Sequence, residues 1–147
     1  MPTRTARTAW NGTLEQGAGQ VELTSSGVGT YDVSFPKRAA DDADGTTSPE
    51  ELIAAAHTSC YAMALSGEIA GRDGTPQALD VRADVTLGPD KEAGGFKLTG
   101  IKLTVRGEVD GLDEAGFLEA AEAAKKGCPI SKALAAVDIT LDAALEG

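Results

Sequence analysis

The alternation of hydrophobic and polar positions predicts strands at both ends of the chain. Three short alternating segments, separated by Gly, Asn and Ser, predict an antiparallel meander over residues 5–10, 20–24 and 30–35. Further alternation predicts two strands over residues 79–87 and 96–109. A last strand is predicted over residues 137–145.

The clearest helix begins at Ser48 and is predicted to continue to about Ile69. Ser48 is a favourable N-cap residue, Pro49 suits the first helical position, and Glu51 occupies the capping-box position. The segment SPEELIAAAHTSCYAMAL is apolar on nearly all sides, which is typical of a buried helix. A small sheet covers only one face of such a helix, so the pattern indicates a partner subunit.

Two more helices are predicted over residues 112–126 and 129–135, whereas residues 36–48 are predicted to form a polar loop. The loop carries several aspartates but lacks the spacing of a calcium-binding loop. The predicted element order is βββ-α-ββ-αα-β, an α+β fold in one domain over residues 1–147.

Composition and charge restrict the classes of partner. The chain has 147 residues, 41% of them hydrophobic, and a net charge of −10, which disfavours nucleic acid and acidic membrane surfaces as partners. We find neither an apolar segment of membrane-spanning length nor a secretory signal. We therefore expect a cytoplasmic protein whose cysteines stay reduced.

The two cysteines are the strongest indication of chemistry. Cys60 lies within the apolar helix, where a plain core thiol is the simplest interpretation, although His57 lies one turn earlier on the same face. Cys128 precedes Pro129 and is predicted to cap a helix, whose positive end would stabilise a thiolate. Lys125 and Lys126 add positive potential, so local chemistry alone predicts that Cys128 has the lower pKa.

The remaining motifs predict neither a metal nor a cofactor. His57 is the only histidine, and its spacing to Cys60 and Cys128 matches no strong zinc motif. We assign His57 no catalytic role, because a single histidine in a buried helix is most often a core residue. No glycine-rich nucleotide loop and no nucleophilic serine motif occur.

The segments TSPEELIAAAHTSCYAMAL and GCPISKAL, within this element order, resemble the OsmC/Ohr family of thiol-dependent hydroperoxide reductases. The resemblance extends from AWNGTLEQGAG to ITLDAAL. The stretch SGVGTYDVSFPKR is similar to the OsmC branch, and the Gly-Gly-Arg-Asp segment typical of the Ohr branch is absent. The resemblance implies an intertwined homodimer, in which two sheets of mixed chain origin surround two long central helices.

The resemblance also implies a mechanism and a set of site residues. Cys60 matches the peroxidatic cysteine, Cys128 the resolving cysteine, and Arg38 and Glu50 the family's active-site arginine and glutamate. Lys37 and Arg7 remain alternatives to Arg38. An organic hydroperoxide would oxidise Cys60 to a sulfenic acid, Cys128 would condense with it to a disulfide, and a dithiol such as a lipoyl protein would reduce that disulfide.

Helical geometry adds one expectation about Glu50. Ten residues separate Glu50 from Cys60, which corresponds to about 15 Å along a straight helix. We therefore expect that a Glu50 serving the site comes from the partner chain and that the site lies at the dimer interface.

Two questions stay open at this point. Local electrostatics favours Cys128 as the attacking thiol, whereas the family resemblance favours Cys60, which we follow. The leading hypothesis is an antioxidant enzyme acting on organic hydroperoxides. The alternatives are a redox sensor without turnover and a dimer that binds a small apolar ligand.

Overall fold

A computed structural model describes residues 1–146 of the chain. They fall into two compact units, residues 1–52 and the residues from Ile53 onward. The elements are β1 (Arg7–Asn11), β2 (Ala18–Glu22), β3 (Thr30–Val33), α1 (Phe35–Ala39), α2 (Pro49–Ala70), β4 (Thr75–Pro89), β5 (Phe96–Asp110), α3 (Glu114–Gly127), α4 (Pro129–Ala133) and β6 (Ile139–Leu145). This is the predicted α+β order with one short helix added.

The first unit contains an antiparallel sheet in the order β1-β2-β3, as the alternation predicts. The prediction that residues 36–48 form only a loop is wrong at its start, because α1 occupies Phe35–Ala39. Ser34 caps this helix by accepting a hydrogen bond from the Lys37 N–H at 3.3 Å, and Pro36 lies in its first turn. The Ser-Phe-Pro sequence is therefore a helix start that loop composition concealed.

The second unit contains a sheet in the order β4-β5-β6, in which β4 and β5 are antiparallel and β6 is parallel to β5. The central strand β5 alternates, and its buried residues Ile101, Leu103 and Val105 face the core. Phe117 of α3 is fully buried in the same core cluster as Leu103 and Val105. Helix packing against one face of the sheet thus encloses the core.

Helix α2 begins where the sequence predicts it. The Ser48 hydroxyl accepts a hydrogen bond from the Glu51 N–H at 3.1 Å, as expected of an N-cap. Within the second unit, Tyr61, Leu65 and Ile69 of α2 are fully buried at a spacing of four residues.

The opposite face of α2 is not covered within the described part of the second unit. Met63 is 75% exposed and lies among exposed small residues, which are Ala55, Ala56, Ser59 and Gly67. The described part of the second unit therefore does not provide the complete burial that the sequence indicates for this helix.

Two further expectations bear on organisation. Helix α2 continues across residues 52 and 53, where the two units divide, and the single-domain organisation stays a prediction.

None of the helices described in residues 1–146 is both long and apolar enough to cross a membrane.

Candidate active site

The sulfur atoms of Cys60 and Cys128 lie 2.9 Å apart, within the second unit. Both cysteines are free, and their separation is longer than the ~2.05 Å of a disulfide bond. Cys128 is fully buried, whereas Cys60 is partly accessible. Two thiols placed in this way can be oxidised to a disulfide with little movement.

Two helix ends meet at Cys128 and fix its position. Its N–H donates to the Ala124 carbonyl at 2.9 Å at the end of α3, and its carbonyl accepts from the Lys132 N–H at 3.0 Å at the start of α4. Cys128 is therefore the N-cap of a helix, as predicted from Pro129. Its thiol makes no capping hydrogen bond and is directed to Cys60 instead.

The surroundings shift the thiol pKa values in opposite directions. Burial raises the pKa of Cys128, but the polar hydrogens of Cys60, Ser131 and Ile130 near its sulfur outweigh burial and hold that pKa below its ordinary value. The pKa of Cys60 is raised, first by burial and then by Cys128. The lower pKa of Cys128 matches the expectation from local chemistry.

Arg38 and Glu50 form a two-pronged ion pair within the first unit. Nε of Arg38 lies 3.0 and 3.2 Å from the two Glu50 carboxylate oxygens, and Nη2 lies 2.7 Å from Oε1. The Glu50 side chain is 10% exposed and the Arg38 side chain 33% exposed. This geometry fixes the guanidinium plane, since two parallel hydrogen bonds hold it.

The two alternatives to Arg38 have other partners. Lys37 lies 3.0 Å from the Asp44 carboxylate, and Arg7 lies 3.7 Å from that of Glu22; all four side chains are well exposed. Of the three cations considered from the sequence, Arg38 is the one that the structure brings together with Glu50.

Sequence reasoning placed His57 on the same helix face as Cys60 but missed its buried polar partner, Ser131. His57 of α2 is fully buried, and its Nε2 lies 2.7 Å from Oγ of Ser131 in α4. Their one-turn spacing from Cys60 and Cys128 was the available signal, since residues three apart share a helix face. Within residues 1–146, no group of three His, Cys, Asp or Glu side chains lies close enough to hold a metal ion.

Comparison with known proteins identifies the family. Residues 41–142 match the family model described as OsmC-like protein. The chain belongs to the OsmC family. It is 39% identical over 133 residues to a protein named Peroxiredoxin OsmC from Escherichia coli (strain K12), with 90% of each chain covered. It is 32% identical over 120 residues to Organic hydroperoxide resistance protein OhrB from Bacillus subtilis (strain 168), covering 81% of this chain and 85% of that protein.

Solved structures agree with this OsmC assignment. The crystal structure of OhrB of Bacillus subtilis is similar with a TM-score of 0.75 and 30% sequence identity, covering 95% of this chain and 97% of that one. An OsmC-like protein from Mycoplasma pneumoniae matches with a TM-score of 0.76 at 13% identity, which shows a shared fold. The fold implied by the sequence resemblance is thereby confirmed at the level of the single chain.

Proposed function

We propose that this OsmC-family chain is a thiol-dependent peroxidase that reduces organic hydroperoxides to alcohols in oxidative-stress defence. The observation that carries the proposal is the pair of free thiols, Cys60 and Cys128, whose sulfurs are 2.9 Å apart. The names of the relatives, a peroxiredoxin and organic hydroperoxide resistance proteins, support the same activity.

The reaction proceeds in two oxidative steps. The Cys60 thiolate attacks one oxygen of the peroxide, the O–O bond breaks, and the departing alkoxide takes up a proton to become the alcohol. The resulting Cys60 sulfenic acid is attacked by the Cys128 sulfur, which forms the disulfide and releases water. We assign the attack to Cys60 because this residue is partly accessible, whereas Cys128 is fully buried.

The raised pKa of Cys60 calls for a cation beside it during turnover. We assign this role to Arg38, because its guanidinium is held in a fixed plane by Glu50. Glu50 accepts hydrogen bonds from Nε and Nη2 of Arg38, and we assign to Nη1 of Arg38 the contact with the peroxide oxygen. In this proposal Glu50 is a positioning residue, and Arg38 is the catalytic cation.

We propose that a homodimer completes the site. Glu50 and Cys60 are ten residues apart on α2, which corresponds to about 15 Å along a straight helix. This distance is too long for the two side chains of one chain to serve one reaction centre. Because Arg38 and Glu50 are bound to each other, the same partner chain supplies both. The uncovered face of α2 around Met63 supports a second copy as its cover, since large exposed apolar surfaces mark interfaces.

A preference for organic peroxides is supported by the apolar surroundings of Arg38. A cavity of about 160 Å³ adjoins the guanidinium within the first unit. The residues that line it are Trp10, Leu14, Val33, Ser34, Phe35, Arg38 and Pro49. An alkyl group gains from leaving water for such a pocket, whereas hydrogen peroxide has no such group.

We propose a dithiol, a lipoyl protein or another, as the reductant and the cytoplasm as the compartment. A dithiol reduces the Cys60–Cys128 disulfide by exchange through a mixed disulfide. The reducing environment of the cytoplasm would supply it and agrees with two cysteines that are free here.

A steady-state assay tests the proposed function. Cumene hydroperoxide consumption is measured with lipoamide and, in parallel, with thioredoxin, on the wild type and on Cys60→Ser and Cys128→Ser. Repeated turnover in the wild type that is lost in both variants supports an enzyme. Oxidation once per chain without turnover would identify a redox sensor, and unreactive cysteines would favour a binding protein.

A further inference from the structure

Two buried hydrogen bonds connect α2 to the helices on either side of Cys128. Nε2 of His57 lies 2.7 Å from Oγ of Ser131 in α4, and the Tyr61 hydroxyl donates to the Ala121 carbonyl of α3 at 2.8 Å. Three of these four residues are fully buried, and Ser131 is 5% exposed. Buried polar groups are costly unless they are hydrogen-bonded, so these bonds hold the helices in one arrangement.

The two bonds flank both cysteines along the chain. His57 precedes Cys60 by three residues and Tyr61 follows it directly, and the four-residue spacing places both side chains on one face of α2. The acceptor of the tyrosine lies in α3, before Cys128, and the partner of the histidine lies in α4, three residues after Cys128. One bond therefore fixes each side of the segment that carries Cys128.

Both bonds are made by groups that stay uncharged. Burial lowers the pKa of His57, and a neutral imidazole can pair with a hydroxyl in either tautomer. Nδ1 of the ring has no partner in the described part of the chain, so Ser131 alone satisfies the imidazole there. Burial raises the pKa of Tyr61, so its phenol keeps the proton that it donates. The bonds are therefore present at neutral and mildly alkaline pH.

The position of the Cys128 sulfur depends on these two helices. The Cys128 N–H is bound to the Ala124 carbonyl of α3, and the Cys128 carbonyl is bound to the Lys132 N–H of α4. Its side chain makes no capping hydrogen bond that would hold the thiol by itself. A shift of either helix end relative to α2 would therefore move the sulfur away from Cys60.

We propose that His57 and Tyr61 are positioning residues, whose bonds to Ser131 and to the Ala121 carbonyl hold the junction of α3 and α4 against α2 and keep the two sulfurs within reach of each other. We call these two hydrogen bonds the clamp. The inference rests on the proposed function, to which it adds the residues that determine how fast the disulfide closes.

The clamp acts by ordering the two thiols before they react. In the resolving step the Cys128 thiolate attacks the sulfur of the Cys60 sulfenic acid, the S–O bond breaks, and the departing hydroxide takes up a proton to become water. Groups that are already placed for attack react faster, because no ordering remains to be done. Without the clamp the sulfenic acid should persist longer, and a second peroxide would oxidise it to the sulfinic acid.

The closing step can be measured without a hydroperoxide. The Cys60 thiolate attacks the aromatic disulfide DTNB and releases one thionitrobenzoate, and the Cys128 thiolate then attacks the Cys60 sulfur and releases a second. The second release is intramolecular, so its rate is independent of the DTNB concentration and reports the placement of the two sulfurs. Cys128→Ser should release only the first thionitrobenzoate, which checks the assignment of the two phases.

Removing either bond should slow the second release. We expect Ser131→Ala and Tyr61→Phe each to lower its rate by about five-fold, the effect of one lost hydrogen bond, at the alkaline plateau of the rate–pH profile. At that plateau both thiols are ionised, so a change in a thiol pKa does not contribute. A plateau rate equal to that of the wild type in either variant would overturn the proposal for the bond that it removes.

A conservative variant and a double variant test the role of His57. His57→Gln keeps a group that can pair with the Ser131 hydroxyl and should retain the wild-type rate, whereas His57→Leu should lose about five-fold. Adding His57→Leu to Ser131→Ala should cause no further loss, because both changes remove the same bond. A slow His57→Gln or an additive double variant would overturn the proposal, and Ser131→Ala decides the outcome if His57→Leu does not fold.

A matched control separates the clamp from general packing. Ile69→Val shortens a buried side chain of the same core cluster, near the other end of α2, and should reduce stability in urea without slowing the second release. An Ile69→Val protein as slow as Ser131→Ala would show that packing places Cys128, which contradicts the proposal. Because none of these measurements uses a hydroperoxide, a failed peroxidase assay would contradict the proposed function alone.

Discussion

The Cys60 and Cys128 sulfurs are 2.9 Å apart although 68 residues separate them in the chain. One cysteine lies within a long helix, and the other is the junction of two helices. The core that packs α2 against α3 brings them together, and Cys128 itself is part of that core. This juxtaposition determines the behaviour expected of each cysteine variant.

Removing the Cys60 thiol and removing the Cys128 thiol should block different steps of the reaction. Cys60→Ser should lose hydroperoxide consumption, whereas Cys128→Ser should react once and stop at the sulfenic acid, because no second thiol resolves it. Trapping with a sulfenic-acid reagent after addition of peroxide, followed by mass spectrometry, checks both. A label on Cys128 in Cys60→Ser, with turnover retained, would reverse the assignment of the attacking thiol.

Arg38→Ala should reduce kcat/KM for cumene hydroperoxide by about 100-fold or more, which is typical of removing a preorganised charge donor. Lys37→Ala and Arg7→Ala are matched controls, because their ion pairs with Asp44 and Glu22 are exposed. We expect both controls to stay close to wild type, since exposed ion pairs contribute little. A loss of activity in a control equal to that of Arg38→Ala would reassign the cation.

Mixing two inactive variants tests whether the site is shared between chains. Cys60→Ser retains Arg38 and Glu50, and Glu50→Ala retains both cysteines. A heterodimer of these two chains has one site with every group intact, so we expect part of the activity to return after co-refolding. Each variant refolded alone is the control, and a mixture as inactive as its components would contradict a site built from two chains.

A charge on the uncovered face of α2 should prevent association of two chains. Met63→Asp places a carboxylate where the side chain is 75% exposed, and we expect a monomer by light scattering together with lost peroxidase activity. Val28→Asp makes the same change at a position that is 73% exposed in the first unit, and it should keep the wild-type mass. A Met63→Asp protein with the wild-type mass would place any interface elsewhere.

Acidification should destabilise the protein through His57. Its pKa in the folded state lies below the ordinary value of 6.5, so its contribution to stability is complete above pH 6.5 and is lost as the pH falls through the folded-state pKa. Urea unfolding at pH 7 and pH 5 should therefore show a larger loss in the wild type than in His57→Gln. Equal losses in the two proteins would mean that His57 is not buried in neutral form.

The starts and caps of α2 and α4 were predicted well, because neighbouring residues in the sequence determine them. Ser48 and Pro49 determine the start of α2, and Pro129 makes Cys128 the N-cap of α4. The start of α1 was missed, because the polar composition after Pro36 resembles a loop. Residues 137 and 138 precede β6, which begins at Ile139, so that strand is shorter than its alternation predicts.

Contacts between elements that are distant in the chain could not be predicted from local sequence patterns. The Ser131 hydroxyl reaches His57 across 74 residues, and neither hydrophobic spacing nor composition contains that information. The parallel pairing of β6 with β5 also depends on the path of α3 and α4 between them. The family resemblance favoured Arg38 over Lys37 and Arg7, which carry the same charge, but its contact with Glu50 depends on the fold of the chain.

The short distance between the two sulfurs bears on how oxidation could be detected by other molecules. A protein that signals its redox state must alter a surface that a receptor recognises, and large displacement of a segment is the usual means. Cys60 lies within α2 and Cys128 between the ends of α3 and α4, with their sulfurs 2.9 Å apart, so closing the bond requires little displacement. Such a pair is suited to rapid cycling between oxidised and reduced forms of nearly equal shape. It is poorly suited to signalling the redox state to a receptor.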